Sequence, residues 1–516
     1  MSLLLVATVA SATFLPTPKV EHVLLLSVDG LHKVDVANYI KLYPKSAMAT
    51  LVSQGVSYPN SQVIPPSDSF PGLLAFFTGA SQKTTGIYYD DSWAYDIYSS
   101  GAACSVIKPF TLCKESWSSR RPCAYDESVD FNKALVFSGL APSKCPISAS
   151  TCKPELPHSF LKVNIIYEVL KAKNIYAAWA DKHYAYDAVR GPSGTGCDDL
   201  FTPEVAAQVQ AIVNQISGKN SFGNVSAPVP ALFGMNYQTL SQAQKQYGYK
   251  DATATFTDGV LQSLTFVDAS LASFFDALKV NKLDGKTAVI LTAKHGQSPI
   301  DPTLFKSVDS GPVTTVIQGA LNPNEPAQVD ADTELLIWLN DYTNKTAIAA
   351  AAAALQANAA SLGLQKVLFG DAITAQFGSN DIRKPSIIGI STPGVISDAG
   401  TSKLPHCPLP CPKMSCKVME HGGFDPDDIS VPIIVSHPFL SSPGSTDSTT
   451  VYTTQIAPTI MQLLGLDPSL LQGAVQEGTA VLPSVDLDVH VATANAIKGA
   501  LSLEAFPAPI PAPASG

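Results

Sequence analysis

The stretch HVLLLSVDG, His22–Gly30, decides how this chain is read. Its apolar residues run from Val23 with one break at Ser27 and stop at Asp29-Gly30. A strand with one wet face alternates polar and apolar residues. A short, nearly continuous apolar run closed by a turn signal suits a strand buried on both faces of a parallel sheet. Three later segments have the same form. NIYAAWADKH ends at Asp181, Lys182 and His183, VPALFGMN at Asn236, and TAVILTAKHG at Lys294 and His295. Helical patterns lie between them: in TDGVLQSLTFVDASLASFFDAL, Val260, Leu264, Val267, Leu271, Phe274 and Leu278 keep helix spacing. Strand–helix alternation predicts an α/β fold with a doubly wound, mostly parallel sheet flanked by helices. Ligands bind such sheets beyond the carboxyl ends of the strands. Asp29, Asp181, His183, Asn236, Lys294 and His295 are therefore expected to converge on one edge.

Composition narrows the function. The 516 residues are 46% hydrophobic and 15% charged, which suits a folded chain. The net charge is -10 and no run of Lys and Arg offers a stripe for a phosphate backbone, which argues against long nucleic acid. Residues 1–12 hold the apolar run Leu3–Val9 followed by Ala10-Ser11-Ala12, the form of a secretory signal peptide. No later stretch is long and apolar enough to span a membrane. The nine Cys fit a secreted chain: Cys104, Cys113, Cys123, Cys145 and Cys152 fall in one loop-like insertion near 100–157, Cys197 stands alone, and Cys407, Cys411 and Cys416 lie near His406 and His421. Disulfides explain these spacings better than a structural zinc. The sequons at Asn224 and Asn344 agree with secretion and glycosylation. A second insertion near 303–380, with a strand-like ELLIWL, an Ala-rich helix and a strand-like QKVLFG, is expected to form a small β-α-β cap on a core spanning 20–485, to which PSIIGIS and DISVPIIVS are expected to return as strands. Residues 503–516, Pro- and Ala-rich, read as a disordered tail.

The chemistry centres on IPPSDSFPGLLAFFTG, Ile64–Gly79, where Ser69 opens an apolar helical run. Ser is a favoured helix cap, and a helix N-terminus also attracts anions. Ser69 is thus a cap, a nucleophile, or both. Together LLLSVDG, PPSDSFPGLLAFFTGASQKTTGI, LTAKHGQSP, MEHGGFDPDD and TTQIAPTIMQLLGLDP resemble the type I phosphodiesterase/nucleotide pyrophosphatase branch of the alkaline phosphatase superfamily. The resemblance implies a divalent metal centre, zinc in one or two ions. Asp29, Ser69, His295 and His421 match its metal positions, and Ser69 stands where the nucleophile, usually Thr, is found. Asn236 takes the place of a metal-binding Asp.

Three departures stand out. Lys294 replaces a metal-binding carboxylate. The family's D-x-x-x-H pair falls at Asn236 and Leu240. The Asn that contacts the phosphoryl group appears as Asp90. Lys294 is read either as a cation that stabilises phosphoryl charge or as a filler paired with Asp29 or Asp90. His183 is read as a general acid or as a hydrogen-bonded support. Asp425, Asp427 and Asp428 read as solvated turn residues, and Asp268 as a salt-bridge or capping partner. The expected function is metal-dependent hydrolysis of a phosphodiester or pyrophosphate bond in a small phosphorylated substrate, through a phosphoryl-Ser69 ester. A degenerate relative that binds an extracellular ligand is the alternative. A sulfatase is disfavoured because no C/S-x-P-x-R surrounds Ser69.

Overall fold

The computed structural model describes residues 20–90, 155–182, 184–202, 205–321, 327–378, 381–397 and 417–487, with short pieces at 92–93, 97–98, 124–125, 147–148 and 153. The signal-like run, the tail, His183, and all the cysteines except Cys197 lie outside the described residues. Cys197 is buried with its thiol free. No helix among the described residues is long and apolar enough to cross a membrane.

Eight strands form the main sheet: β1 (His22–Val28), β2 (Gly55–Ser57), β3 (Ala178–Ala180), β4 (Asp199–Phe201), β5 (Leu232–Tyr237), β6 (Thr287–Thr292), and two further strands that follow the cap in sequence, Ile433–Ser436 and Ser445–Thr446. From one edge the order is Ser445–Thr446, β2, Ile433–Ser436, β6, β1, β5, β3, β4. β1 pairs in parallel with both β5 and β6, and β3 pairs in parallel with β5 and β4. Ile433–Ser436 runs antiparallel against β6 and β2.

The apolar runs have their cause in two cores. Val23 and Leu25 of β1 enter one cluster, and Leu24, Leu26 and Val28 enter the other. β6 divides likewise, with Ala288 and Ile290 opposite Val289 and Leu291. Helix α1 (Ser69–Thr78) covers one face, and all ten of its residues are buried. Helices α2 (Thr239–Tyr247) and α3 (Asp258–Val280) cover the other. Val260, Leu264, Val267, Leu271, Phe274 and Leu278 of α3 all lie in that core, as their spacing predicts. Asp268 accepts a hydrogen bond from the Met48 amide at 2.7 Å and so caps the neighbouring helix.

The inserted unit reaches past residue 380. Four strands form its antiparallel sheet: β7 (Ala327–Ala331), β8 (Leu335–Leu339), β9 (Leu364–Phe369) and β10 (Ile387–Ser391), in the order β7-β8-β10-β9. The segment PSIIGIS, which looks like a strand of the core, therefore belongs to the cap. Helix α4 (Lys345–Ala357) packs Ala347, Ala351, Ala352 and Leu355 against Leu335, Ile337 and Leu339. Asn344 accepts from the Ala347 amide at 3.0 Å as the cap of α4, whereas Asn224 sits in an exposed turn.

Two adjacent tyrosines join core and cap. Tyr88 packs with Leu368, Ile373, Phe377, Ile388 and Ile390, and Tyr89 with Leu336 and Trp338. Asp428 is fully buried at the same junction. It accepts from the Gly423 amide at 2.9 Å and from the Thr333 hydroxyl at 3.2 Å, so it is not a solvated turn residue. A short motif dense in Asp reads as surface, but the Asp428 carboxyl is met by Gly423 and by Thr333, which lies 95 positions away in sequence.

Candidate active site

The strand ends meet as the parallel register requires. Ser27 of β1 lies beside Asn236 of β5 and Thr292 of β6. Asp29, Asn236, Lys294 and His295 then fall on one edge, all with 1% exposure or less. Asn236 Nδ2 donates to Asp29 Oδ2 at 3.0 Å. Lys294 Nζ lies 3.5 Å from Asp29 Oδ1, and Lys182 Nζ, from the end of β3, lies 3.9 Å from Oδ2. His295 Nε2 is 3.7 Å from Asp29 Oδ1.

Helix α1 brings Ser69 to this edge. A Cβ at Gly72 would lie 2.1 Å from the Lys294 carbonyl oxygen, so the helix backbone touches the β6 loop only because residue 72 has no side chain. Ser69 Oγ is then 3.3 Å from His295 Nε2. Ser69 is the first residue of the helix, not its cap. Asp68 is the cap, and its Oδ2 accepts from the Phe70 amide at 3.1 Å. The helix end consequently offers an anion less than the sequence suggests, because Asp68 takes the Phe70 N–H and Pro71 has none.

His295 Nδ1 donates to the Gly296 carbonyl at 2.8 Å, which leaves Nε2 as an acceptor facing Ser69. Burial holds this imidazole well below the usual histidine range, helped by the neighbouring His421, Lys294 and Lys182. His421 stacks on it, with ring centres 3.7 Å apart and planes 7° apart. Burial and Lys245 pull His421 down to about 4, against the effect of Glu420. His421 Nδ1 lies 2.8 Å from Glu420 Oε1, and its Nε2 lies 3.8 Å from Asp68. Burial disfavours a charge on Glu420, but Lys245, Lys417 and His421 outweigh it and hold the carboxyl well below its usual range.

The structure thus unites Asp29, Ser69, Asn236, Lys294, His295 and His421. Asp90 is half-buried beside Tyr89 and acts on the Tyr89 hydroxyl together with Asp332, Asp68 and Glu420, which puts it on the His421 side. His183 lies outside the described residues. Two participants, Lys182 and Tyr186, lie outside the family motifs, and a third, Glu420, lies inside MEHGGFDPDD without being singled out there. Lys182 reaches Asp29, and Glu420 faces His421. Tyr186 accepts from Lys294 Nζ at 2.8 Å and stacks on Phe70 at 4.8 Å between ring centres.

A profile of the "Type I phosphodiesterase / nucleotide pyrophosphatase" family matches residues 23–396. The chain belongs to this family. Comparison with curated proteins gives no significant match. Among solved structures, the chain is similar to murine ectonucleotide pyrophosphatase/phosphodiesterase 5 in an inactive form with AMP, at 13% identity and a TM-score of 0.56, over 87% of this chain and 96% of that one. The human protein of the same name gives 14% and 0.55, over 86% and 95%. These likenesses concern the fold.

The family's two-ion centre does not fit these residues. Leu240 is packed in the core, and Asn236 offers an amide that donates to Asp29. Of those matched positions only His421 remains a ready donor for a second ion. For the first, Asp29 Oδ1, Ser69 Oγ and His295 Nε2 approach one another, but the Lys294 ammonium already lies 3.5 Å from the same carboxylate oxygen. A divalent cation there would meet a like charge. Among the described residues no group of three or more His, Cys, Asp or Glu could hold a metal.

Proposed function

We propose that this protein hydrolyses phosphodiester or pyrophosphate bonds in small substrates, with Ser69 as nucleophile and His295 as base. The 3.3 Å approach of Ser69 Oγ to His295 Nε2, in a ring oriented by the Gly296 carbonyl, carries the reading. The Ser69 proton passes to Nε2 as Oγ bonds to phosphorus. The bond from phosphorus to the leaving oxygen breaks on the opposite side, and that oxygen takes a proton from solvent. Water then attacks the phosphoryl-Ser69 ester and releases a proton to solvent, while the Ser69 oxygen recovers its own from His295. Burial keeps His295 neutral at pH 7, so Nε2 faces Ser69 Oγ without a proton. The signal-like leader and the exposed sequon at Asn224 support an extracellular site of action.

A second reading, binding of a phosphorylated ligand without turnover, is favoured by Leu240, Asn236 and Lys294 at positions where the family has metal ligands. Steady-state hydrolysis of bis(p-nitrophenyl) phosphate separates the two. Turnover that disappears in Ser69→Ala supports the hydrolase. Turnover equal in both proteins removes Ser69 from the chemistry. No turnover with retained phosphate binding supports the binder.

A further inference from the structure

Lys182 and Lys294 leave the sheet from different strands, β3 and β6, and reach the two oxygens of one carboxylate, Asp29. One aromatic residue holds them together. Lys294 Nζ donates to the Tyr186 hydroxyl and lies 4.4 Å from the ring centre, and Lys182 Nζ lies 5.7 Å from the same centre. Tyr186 stacks within 5° of parallel on Phe70, the residue after Ser69. The two ammonium groups are therefore anchored to the helix that carries the nucleophile.

Lys294 also acts on a second carboxyl, Asp181, where burial outweighs it and holds that group above its usual range. Asp181 is the other buried carboxyl at this strand end. Its Oδ2 accepts from Trp179 Nε1 at 2.8 Å and its Oδ1 from the Lys182 amide at 2.8 Å, so both oxygens already have donors. The helix terminus has little to offer an anion, since Asp68 and Pro71 remove its first donors. Lys182 and Lys294 bring their ammonium groups to Asp29, whose Oδ1 is 3.7 Å from the His295 Nε2 that faces Ser69.

The geometry points to Lys182 and Lys294 as a phosphoryl-binding ammonium pair on Asp29, the residue that matches a metal position of the family, so that this site takes a phosphate group without metal. The inference rests on the reading that Ser69 faces a phosphoryl group. Each lysine supplies a compact charge and N–H donors but no open coordination position, and each carries half the charge of a divalent ion. The site binds phosphate oxygens without generating a metal-bound hydroxide.

The test uses the full chain, treated with EDTA and desalted. Zinc content is read by plasma mass spectrometry and binding of inorganic phosphate by calorimetry. The expected result is zinc well below about one per chain, with phosphate affinity changed less than about twofold on adding zinc. Lys182→Met should weaken phosphate binding about tenfold or more, the loss of one charge-assisted hydrogen bond. Lys294→Met alone strands Asp29, so Lys294→Met with Asp29→Asn is the variant to compare. It should weaken binding by a similar factor while keeping its fold by circular dichroism. Stoichiometric zinc that survives EDTA, phosphate binding that appears only with zinc, no phosphate binding at all, or unchanged affinity in both variants would each overturn the pair. Zinc-dependent binding with turnover sinks the pair and leaves the Ser69 hydrolase standing. Metal-free binding without turnover does the reverse.

Discussion

Asp29 and Glu420 are two buried carboxylates, each bracketed by two lysines, on either side of the stacked His295 and His421 rings. Their surroundings differ in water. Lys294 is fully buried and Lys182 is 10% exposed, whereas Lys245 and Lys417 are 17% and 23% exposed. Charges interact more strongly where solvent is excluded, and a stranded charge there costs more. The wetter cluster orients His421 through Glu420. The drier one lies beside His295, which faces Ser69, and there the charges act on whatever enters. The same arrangement of side chains is thus partly open to water on one side and nearly sealed from it on the other.

That contrast can be broken by mutation. The largest expected effect is on rate. Ser69→Ala should lower kcat for bis(p-nitrophenyl) phosphate on the order of 10³-fold or more, while His421→Ala, on the wetter side, should cost about tenfold. Equal losses would mean that the two sides share the chemistry. Next is stability. Lys294→Met should destabilise the fold by about 3–5 kcal/mol in urea titration, since Asp29 is left buried beside a single, more distant ammonium. Lys245→Met should cost about 1 kcal/mol, because Lys417 still pairs with Glu420 near solvent. Comparable costs would erase the distinction.

A histidine outside both clusters supplies a reference slope. Burial alone lowers His437 to about 4. Its folded value is depressed, so the unfolded chain takes up the proton first. The contribution of His437 to stability is complete above about pH 6.5 and falls as pH drops toward 4, by up to about 3 kcal/mol. His437→Gln should remove that part of the acid slope. A slope unchanged in the variant would assign it to the stacked pair instead. Gly72→Ala is expected to cost about 1–3 kcal/mol from overpacking, with reduced turnover as α1 is pushed from the β6 loop. Normal turnover there would show that the contact does not set the position of Ser69.

The sequence exposes the core well and the site only in part. β1, β5 and β6 are legible because strands buried on both faces must be apolar throughout, and α3 because its inward face repeats every third or fourth residue. Asp29, Ser69, His295 and His421 are legible as pieces of family motifs. Asp68 is missed as the cap because Ser69 is an equally good capping residue and the first helical turn is fixed by backbone geometry. Lys182, Tyr186 and Glu420 are illegible for another reason. Lys182 acts through Asp29 and Tyr186 through Lys294, far away in sequence, and Glu420, although next to His421, is held by the distant Lys245; no local pattern announces a lysine whose carboxylate is 153 positions upstream. PSIIGIS misleads because an apolar run does not say which sheet it joins.

Tyr88 and Tyr89 bear on how the cap is held to the core. Tyr88 is lodged among cap residues, and the Tyr89 hydroxyl donates to Asp332 at 3.2 Å. The same hydroxyl presses on Gly422, where a Cβ would lie 1.9 Å away, one residue from His421. In mechanical terms the tyrosines are two pegs through one plate, and a plate pinned twice does not swing. A cap fastened in this way is tied to the core at two adjacent residues, one of them against the glycine beside His421.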